Sequence, residues 1–357
     1  MTQRIYAFDW LRSIAFLLLI GFHSALLFTS YGWHLKLGEI SFLNDLVEFS
    51  RPWRMMLIFL VSGVALSYSF ERRGWFDFGI SSLKRLLPPL VFGMFVVIPP
   101  VYYIETLHTE NSIGLVESYS VYVDNFINRD FRWLHLWYLG YLLAFCAVVS
   151  IVWLFAHSWM VKIQKKQWHN VLSVYCWLCV VALIIAANEI LLRPIFPIQR
   201  NFFDDIASLI SFFIIFTGGA TLFRNYSVLN VLADHIWLNL VLALVFYGLS
   251  GLLENSYYLL FISLFAYFFI LTLVGCAFRY FNQPIDWVQS FNQVIFPFYL
   301  LHQIVILVTA FILSKVVSGA LLYGLIVIVS VLLCLCVIRL IVTYVGFLHP
   351  FLGIQKR

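Results

Sequence analysis

The sequence predicts an all-α integral membrane protein, a polytopic bundle of about ten transmembrane helices, and three observations carry that prediction. The chain of 357 residues is 63% hydrophobic and 11% charged, against roughly a quarter charged for an average soluble domain. Many of its apolar runs exceed the roughly 18 residues that mark a helix long enough to span a bilayer. The runs are continuous rather than alternating, which excludes a barrel built from ten-residue strands of period two. No separate soluble domain is expected. Residues 1–357 read as one transmembrane domain with its core over about 4–345.

Apolar runs place spans near 10–30, 54–71, 86–104, 134–156, 171–192, 205–223, 229–249, 257–279, 292–313 and 320–346. The first run is expected to be retained as a span, because it carries Asp9 and Arg12, lacks a small-x-small cleavage signature and is followed by many further spans. An even number of spans puts both termini on one side. Arg72, Arg73, Lys84 and Arg85 in the second connection and Lys162, Lys165 and Lys166 in the fourth mark that side as cytoplasmic. The chain is therefore expected in the cell inner membrane with both termini inside. The longest connection, from Glu105 to Trp133, sets Glu105, Glu110, Glu117, Asp124 and Asp130 against Arg129 and Arg132 and so faces outward. The net charge of +5 reports orientation, and no nucleic-acid partner is expected. The six cysteines all lie in apolar runs and read as packing residues. Cys176 and Cys179 form a C-x-x-C without a second pair or a nearby histidine, so neither a metal nor a redox site is expected.

Ionisable side chains inside apolar runs are costly, by about 2.5 to 3.5 kcal/mol on insertion scales, and mark functional sites by default. Arg12 and His23 lie on the first span. Their eleven-residue step is close to three helical turns, which puts both on one face roughly 16 Å apart along the axis. Asp9 sits one turn before Arg12 and either neutralises it or joins a site. His23 is either a hydrogen-bonded core residue or a general base, since imidazole is the side chain that titrates near neutral pH. Arg51 and Arg54, in Arg51-Pro52-Trp53-Arg54, are expected at the outer mouth of the second span, with the proline in the first helical turn. Their i, i+3 spacing points two guanidiniums the same way, to hold a phosphate or carboxylate or to act as interfacial anchors. Other arginines on the outer side, Arg193 and Arg200 among them, ask for a ligand or for pairing with Glu48, Asp130, Asp204 or Asp205. His135 and Trp137, in HLWYLG, open the fourth span. His302, in FPFYLLHQIVI, lies within the ninth, where with Gln303 it makes either an interhelical hydrogen bond or part of a polar cavity. Gly218 and Gly219 interrupt the sixth span as small residues at a helix contact. No dinucleotide or Walker loop, nucleophile elbow or zinc-protease motif occurs, which argues against a nucleotide-driven pump or a protease.

At these residues the sequence resembles the acyltransferase 3 family of membrane proteins, whose members carry Arg-x10-His in the first helix and Arg-x-x-Arg at the start of the second. Arg12 to His23 matches the first motif and Arg51 to Arg54 the second, and HLWYLG and FPFYLLHQ follow at their expected places. FHSALLFTSYGWH and FPFYLLHQ are most similar to the branch that succinylates periplasmic glucans. The resemblance implies transfer of an acetyl or succinyl group from cytoplasmic acyl-CoA to a hydroxyl of an extracytoplasmic saccharide. It implies His23 as base, Arg12 toward the donor, and Asp9, Arg51, Arg54, His135, Trp137 and His302 as substrate contacts. The donor is a substrate, and no tightly bound cofactor is expected. The alternative is a transporter of a saccharide or anionic solute, against which the absence of matched inverted repeats weighs.

Overall fold

The computed structural model describes residues 4–70, 75–108, 114–128, 133–166, 170–201 and 204–354. Arg72, Arg73, Glu110, Arg129, Asp130, Arg132, Lys356 and Arg357 lie outside the described residues. Among those described, every regular element is helical: α1 Ala7–Leu26, α2 Ser41–Phe70, α3 Trp75–Phe92, α4 Ile98–His108, α5 Leu115–Ile127, α6 Trp137–Lys165, α7 Val171–Leu191, α8 Ile206–Thr221, α9 Tyr226–Asp234, α10 Ile236–Leu252, α11 Asn255–Tyr280, α12 Asp286–Leu313 and α13 Gly319–Tyr344. Among the described residues, nine helical segments are long and apolar enough to cross a membrane, or ten if the α9–α10 pair, bent by 70°, is one span. The all-helical polytopic architecture read from the sequence is the one observed.

Three elements depart from expectation. First, α2 begins at Ser41, so Arg51 to Arg54 lie well inside it and Pro52 is a mid-helix proline. The cause is an amphipathic lead-in whose Leu43 and Val47 are buried one turn apart, which extends the helix past a proline that on local preference alone belongs at its start. Second, the third span runs from Phe76 to His108 through a π-turn at Gly93–Val97. A Cβ on Gly93 would come within 2.7 Å of Leu136, so the absence of a side chain lets this bulge approach the segment before α6. Third, the long connection between the third and fourth spans contains α5. Tyr122 of α5 is fully buried, its ring 5.2 Å from that of Tyr102, and Phe126 meets Phe95 at 5.1 Å. Burial raises the Tyr122 phenol above its ordinary pKa, so it packs as a neutral group.

The contacts divide the chain into two compact units: residues 1–15, 51–82 and 141–289, and residues 16–50, 83–140 and 290–357. In the first unit, α2 and α8 cross with backbones in contact. A Cβ at Gly63 would fall 1.9 Å from the Phe216 carbonyl oxygen, and one at Gly219 would fall 2.1 Å from that of Leu60. Gly218 is not part of this crossing, the nearest atom to its added Cβ being Phe223 at 3.9 Å. The α9–α10 bend falls at His235, whose ring Nδ1 donates to the Val231 carbonyl at 2.9 Å.

Candidate active site

In the second unit, three of the histidines singled out from the sequence meet. His23 occupies the last turn of α1, His135 the 3-10 turn Leu134–Leu136 ahead of α6, and His302 the interior of α12. The His302 ring centre is 5.0 Å from that of His23 and 5.1 Å from that of His135. His135 is 5% exposed and His302 is fully buried, so their polar atoms require partners, an unsatisfied buried group costing about 1–3 kcal/mol.

The partners fix where the protons sit. The Nδ1 of His302 lies 2.5 Å from the Tyr299 carbonyl, which can only accept, so that nitrogen carries the proton and Nε2 carries the lone pair. That Nε2 lies 3.2 Å from Nδ1 of His23, which in turn lies 2.9 Å from the Leu19 carbonyl one helical turn back. The Nδ1–H of His23 is therefore shared between Leu19 and His302, and a neutral His23 holds its lone pair on Nε2. In His135, Nε2–H donates to the Leu300 carbonyl at 3.0 Å, while Nδ1 sits 2.8 Å from the side-chain amide of Gln303. The Gln303 atom facing Nδ1 is Oε1, so both ring nitrogens of His135 are set against oxygen acceptors. Tyr299 donates its hydroxyl to the carbonyl of His135 itself. The residue before this latch, Leu134, has φ 45°, a left-handed conformation that costs a non-glycine residue of order 1–3 kcal/mol and concentrates at functional sites.

The α1–α2 connection roofs the cluster. Trp33 is half-buried and stacks on His23 with ring centres 5.2 Å apart and planes 25° apart. Its neighbour His34 is buried, with Nδ1 3.4 Å from a carboxylate oxygen of Glu105 in α4. The connection is pinned by Leu37 N–H to the Leu27 carbonyl at 2.8 Å, Ile40 N–H to the Phe28 carbonyl at 2.9 Å and the Tyr31 hydroxyl to Glu48 at 3.0 Å. Sequence reasoning did not select Trp33, His34, Glu105 or Tyr299. The Trp-His pair directly after the first span was the available signal. Trp137, two residues past His135, is 8% exposed in the core of this unit.

The first unit holds the arginine and aspartate candidates. Arg4 donates to Asp9 at 2.9 Å, an ion pair that the i, i+3 spacing of Asp9 and Arg12 did not foresee. Arg12 is half-buried on α1. Arg51 is exposed and Arg54 is 5% exposed, and both lie within electrostatic reach of Arg200. Desolvation and the Arg51 guanidinium lower the Arg200 pKa, with Asp205 and Tyr141 opposing them. Arg200 is the other non-glycine residue at positive φ among the described residues, at 55°, with its N–H held at 3.1 Å by Asp205. Arg193 forms a bidentate pair with Glu189, at 2.8 and 2.9 Å, and a longer contact with Asp205 at 3.4 Å. Of the pairings expected for the outer arginines, Asp205 is one that is realised. Glu48 instead accepts from Tyr31, and Glu189, a helical i, i+4 neighbour of Arg193, was missed.

The six cysteines are free thiols, and among the described residues no group of three or more His, Cys, Asp or Glu is placed to hold a metal ion. Compared with known families, the chain matches the model of an acyltransferase domain over residues 5–339. Comparisons with curated proteins and with solved structures give no match.

Proposed function

Because this chain belongs to the acyltransferase 3 family and is a multi-pass membrane acyltransferase, we propose that it moves an acetyl or succinyl group from cytoplasmic acyl-CoA to a hydroxyl of an extracytoplasmic saccharide, with His23 as general base. One observation carries the base assignment. The Nδ1–H of His23 is engaged by Leu19 and His302, which leaves the lone pair on Nε2, the atom able to take a proton. The acceptor oxygen attacks the thioester carbonyl carbon as Nε2 takes its proton, and a carbon–oxygen bond forms. Collapse of the tetrahedral intermediate breaks the carbon–sulfur bond, and His23 returns the proton to the departing thiolate, giving CoA and an ester.

The other residues take roles that follow from their chemistry. Arg12 suits the phosphates of the donor, beside the Arg4–Asp9 pair. Arg51 and Arg54, with Arg200, suit an anionic acyl group or an acidic acceptor. His135 and Trp137 support the site from the start of α6. Basic residues in the second and fourth connections support cytoplasmic termini and an inner-membrane location.

Mass spectrometry of envelope glycans from cells with and without the protein tests this reading. The expected result is an acyl mass on a saccharide that disappears with the protein. An unchanged acyl pattern would overturn the saccharide assignment.

A further inference from the structure

We propose that His302 is the positioning residue of the transfer site: it accepts the Nδ1–H of His23 on its own Nε2, fixes the working tautomer, and steadies the imidazolium formed when His23 takes the acceptor's proton. The inference rests on His23 being the base. It adds a second imidazole that acts through the first.

The direction of the hydrogen bond carries the argument. His302 has its single proton committed to the Tyr299 carbonyl at 2.5 Å, so toward His23, 3.2 Å away, it presents a lone pair. A lone pair aimed at Nδ1–H has no repulsive cost when His23 is neutral and gains strength when His23 becomes cationic, because a charged donor makes roughly twice as strong a hydrogen bond. Leu19 alone would also select the Nδ1–H tautomer. It belongs to the same helix as His23 and cannot report on or restrain that helix's place among its neighbours, whereas His302 ties the ring to α12.

The rest of the cluster holds His302 still. Four residues within about one turn of α12 are engaged: Tyr299 through its hydroxyl on the His135 carbonyl, Leu300 through its carbonyl on the His135 ring, Gln303 through its amide on the other His135 nitrogen, and His302 on His23. His135 is thus the clamp of a chain that runs from α6 through α12 to α1. Phe16, whose ring meets that of Tyr299 at 5.8 Å, and Trp33 add apolar cover, and in such surroundings the imidazole–imidazole bond is worth more than in water. Among the described residues, the titratable groups around the pair include His135, Tyr299, the Tyr323 hydroxyl on the Gly21 carbonyl, and His34 with Glu105.

The test compares full-length wild-type protein in detergent with His302→Gln, which keeps an acceptor, and with His302→Leu and His302→Met, which do not. Labelled acetyl-CoA and succinyl-CoA serve as donors and an envelope glycan extract as acceptor, and variants are compared only if they elute as the native protein. The apolar variants should lose about 10²-fold in kcat with little change in KM, and His302→Gln should recover at least part of that loss. Losing the acceptor destabilises the protonated form of His23 and lowers its pKa, so the acid limb of the pH–rate profile should move to lower pH. A natively eluting apolar variant with the wild-type rate and profile overturns the proposal, as does a glutamine variant no better than the apolar ones. If neither apolar variant elutes natively, His302→Gln decides: a rate and an acid limb close to those of the wild type are expected, and a natively eluting glutamine variant that loses the full ~10²-fold in kcat overturns the proposal. These outcomes are read beside His23→Ala. Transfer retained without His23, or no transfer by the wild type, refutes the base assignment itself, whereas a dead His23→Ala with an indifferent His302 removes only the positioning role.

Discussion

Leu134 shows how much the arrangement depends on single residues. It adopts φ 45° immediately before His135, whose ring and backbone are bonded to α12. A β-branched side chain tolerates that conformation poorly, whereas glycine adopts it freely. Leu134→Val is therefore expected to lower both thermal stability and transfer rate, and Leu134→Gly to keep the rate within a few-fold. Equal behaviour of the two in unfolding and turnover assays would contradict a left-handed residue there. The sequence made the three histidines visible because an ionisable group in an apolar run needs a reason. It did not reveal their partners, since the carbonyls of Leu19, Tyr299 and Leu300 are backbone atoms that every residue possesses, and only packing selects them. Gln303 stood out as a polar neighbour of His302, and the interhelical hydrogen bond it was expected to make is the one to His135.

Elements were legible in proportion to their apolar length. Continuous runs gave every membrane-spanning helix, yet α5 was read as loop because its buried residues Ser118 and Tyr122 fall on one face of an otherwise exposed helix. The start of α2 was missed for a related reason, a local proline preference outweighed by a preceding amphipathic turn. Where helices touch, the glycines are informative only with the structure in hand. Gly63 and Gly219 form the α2–α8 crossing and Gly218 does not, although the two adjacent glycines look alike in sequence. Gly219→Val and Gly63→Val are expected to destabilise the first unit by at least about 1–3 kcal/mol, the usual cost of overpacking, while Gly218→Ala stays near wild type. Thermal unfolding in detergent measures this. A Gly219→Val protein as stable as Gly218→Ala would refute the close crossing.

At the scale of the molecule, the family match over residues 5–339 includes segments of both compact units. The second unit holds the histidine cluster with its aromatic roof, and the first holds Arg12, the Arg4–Asp9 pair and the Arg51, Arg54 and Arg200 group. The central claim is that His23 removes the acceptor's proton during transfer from acyl-CoA. Its most direct test is release of CoA and labelling of glycan by purified protein supplied with labelled acetyl-CoA or succinyl-CoA, wild type against His23→Ala. The account predicts donor-dependent labelling by the wild type and a loss of about 10²–10⁴-fold in a His23→Ala protein that still elutes as native. Undiminished labelling by that variant would contradict it.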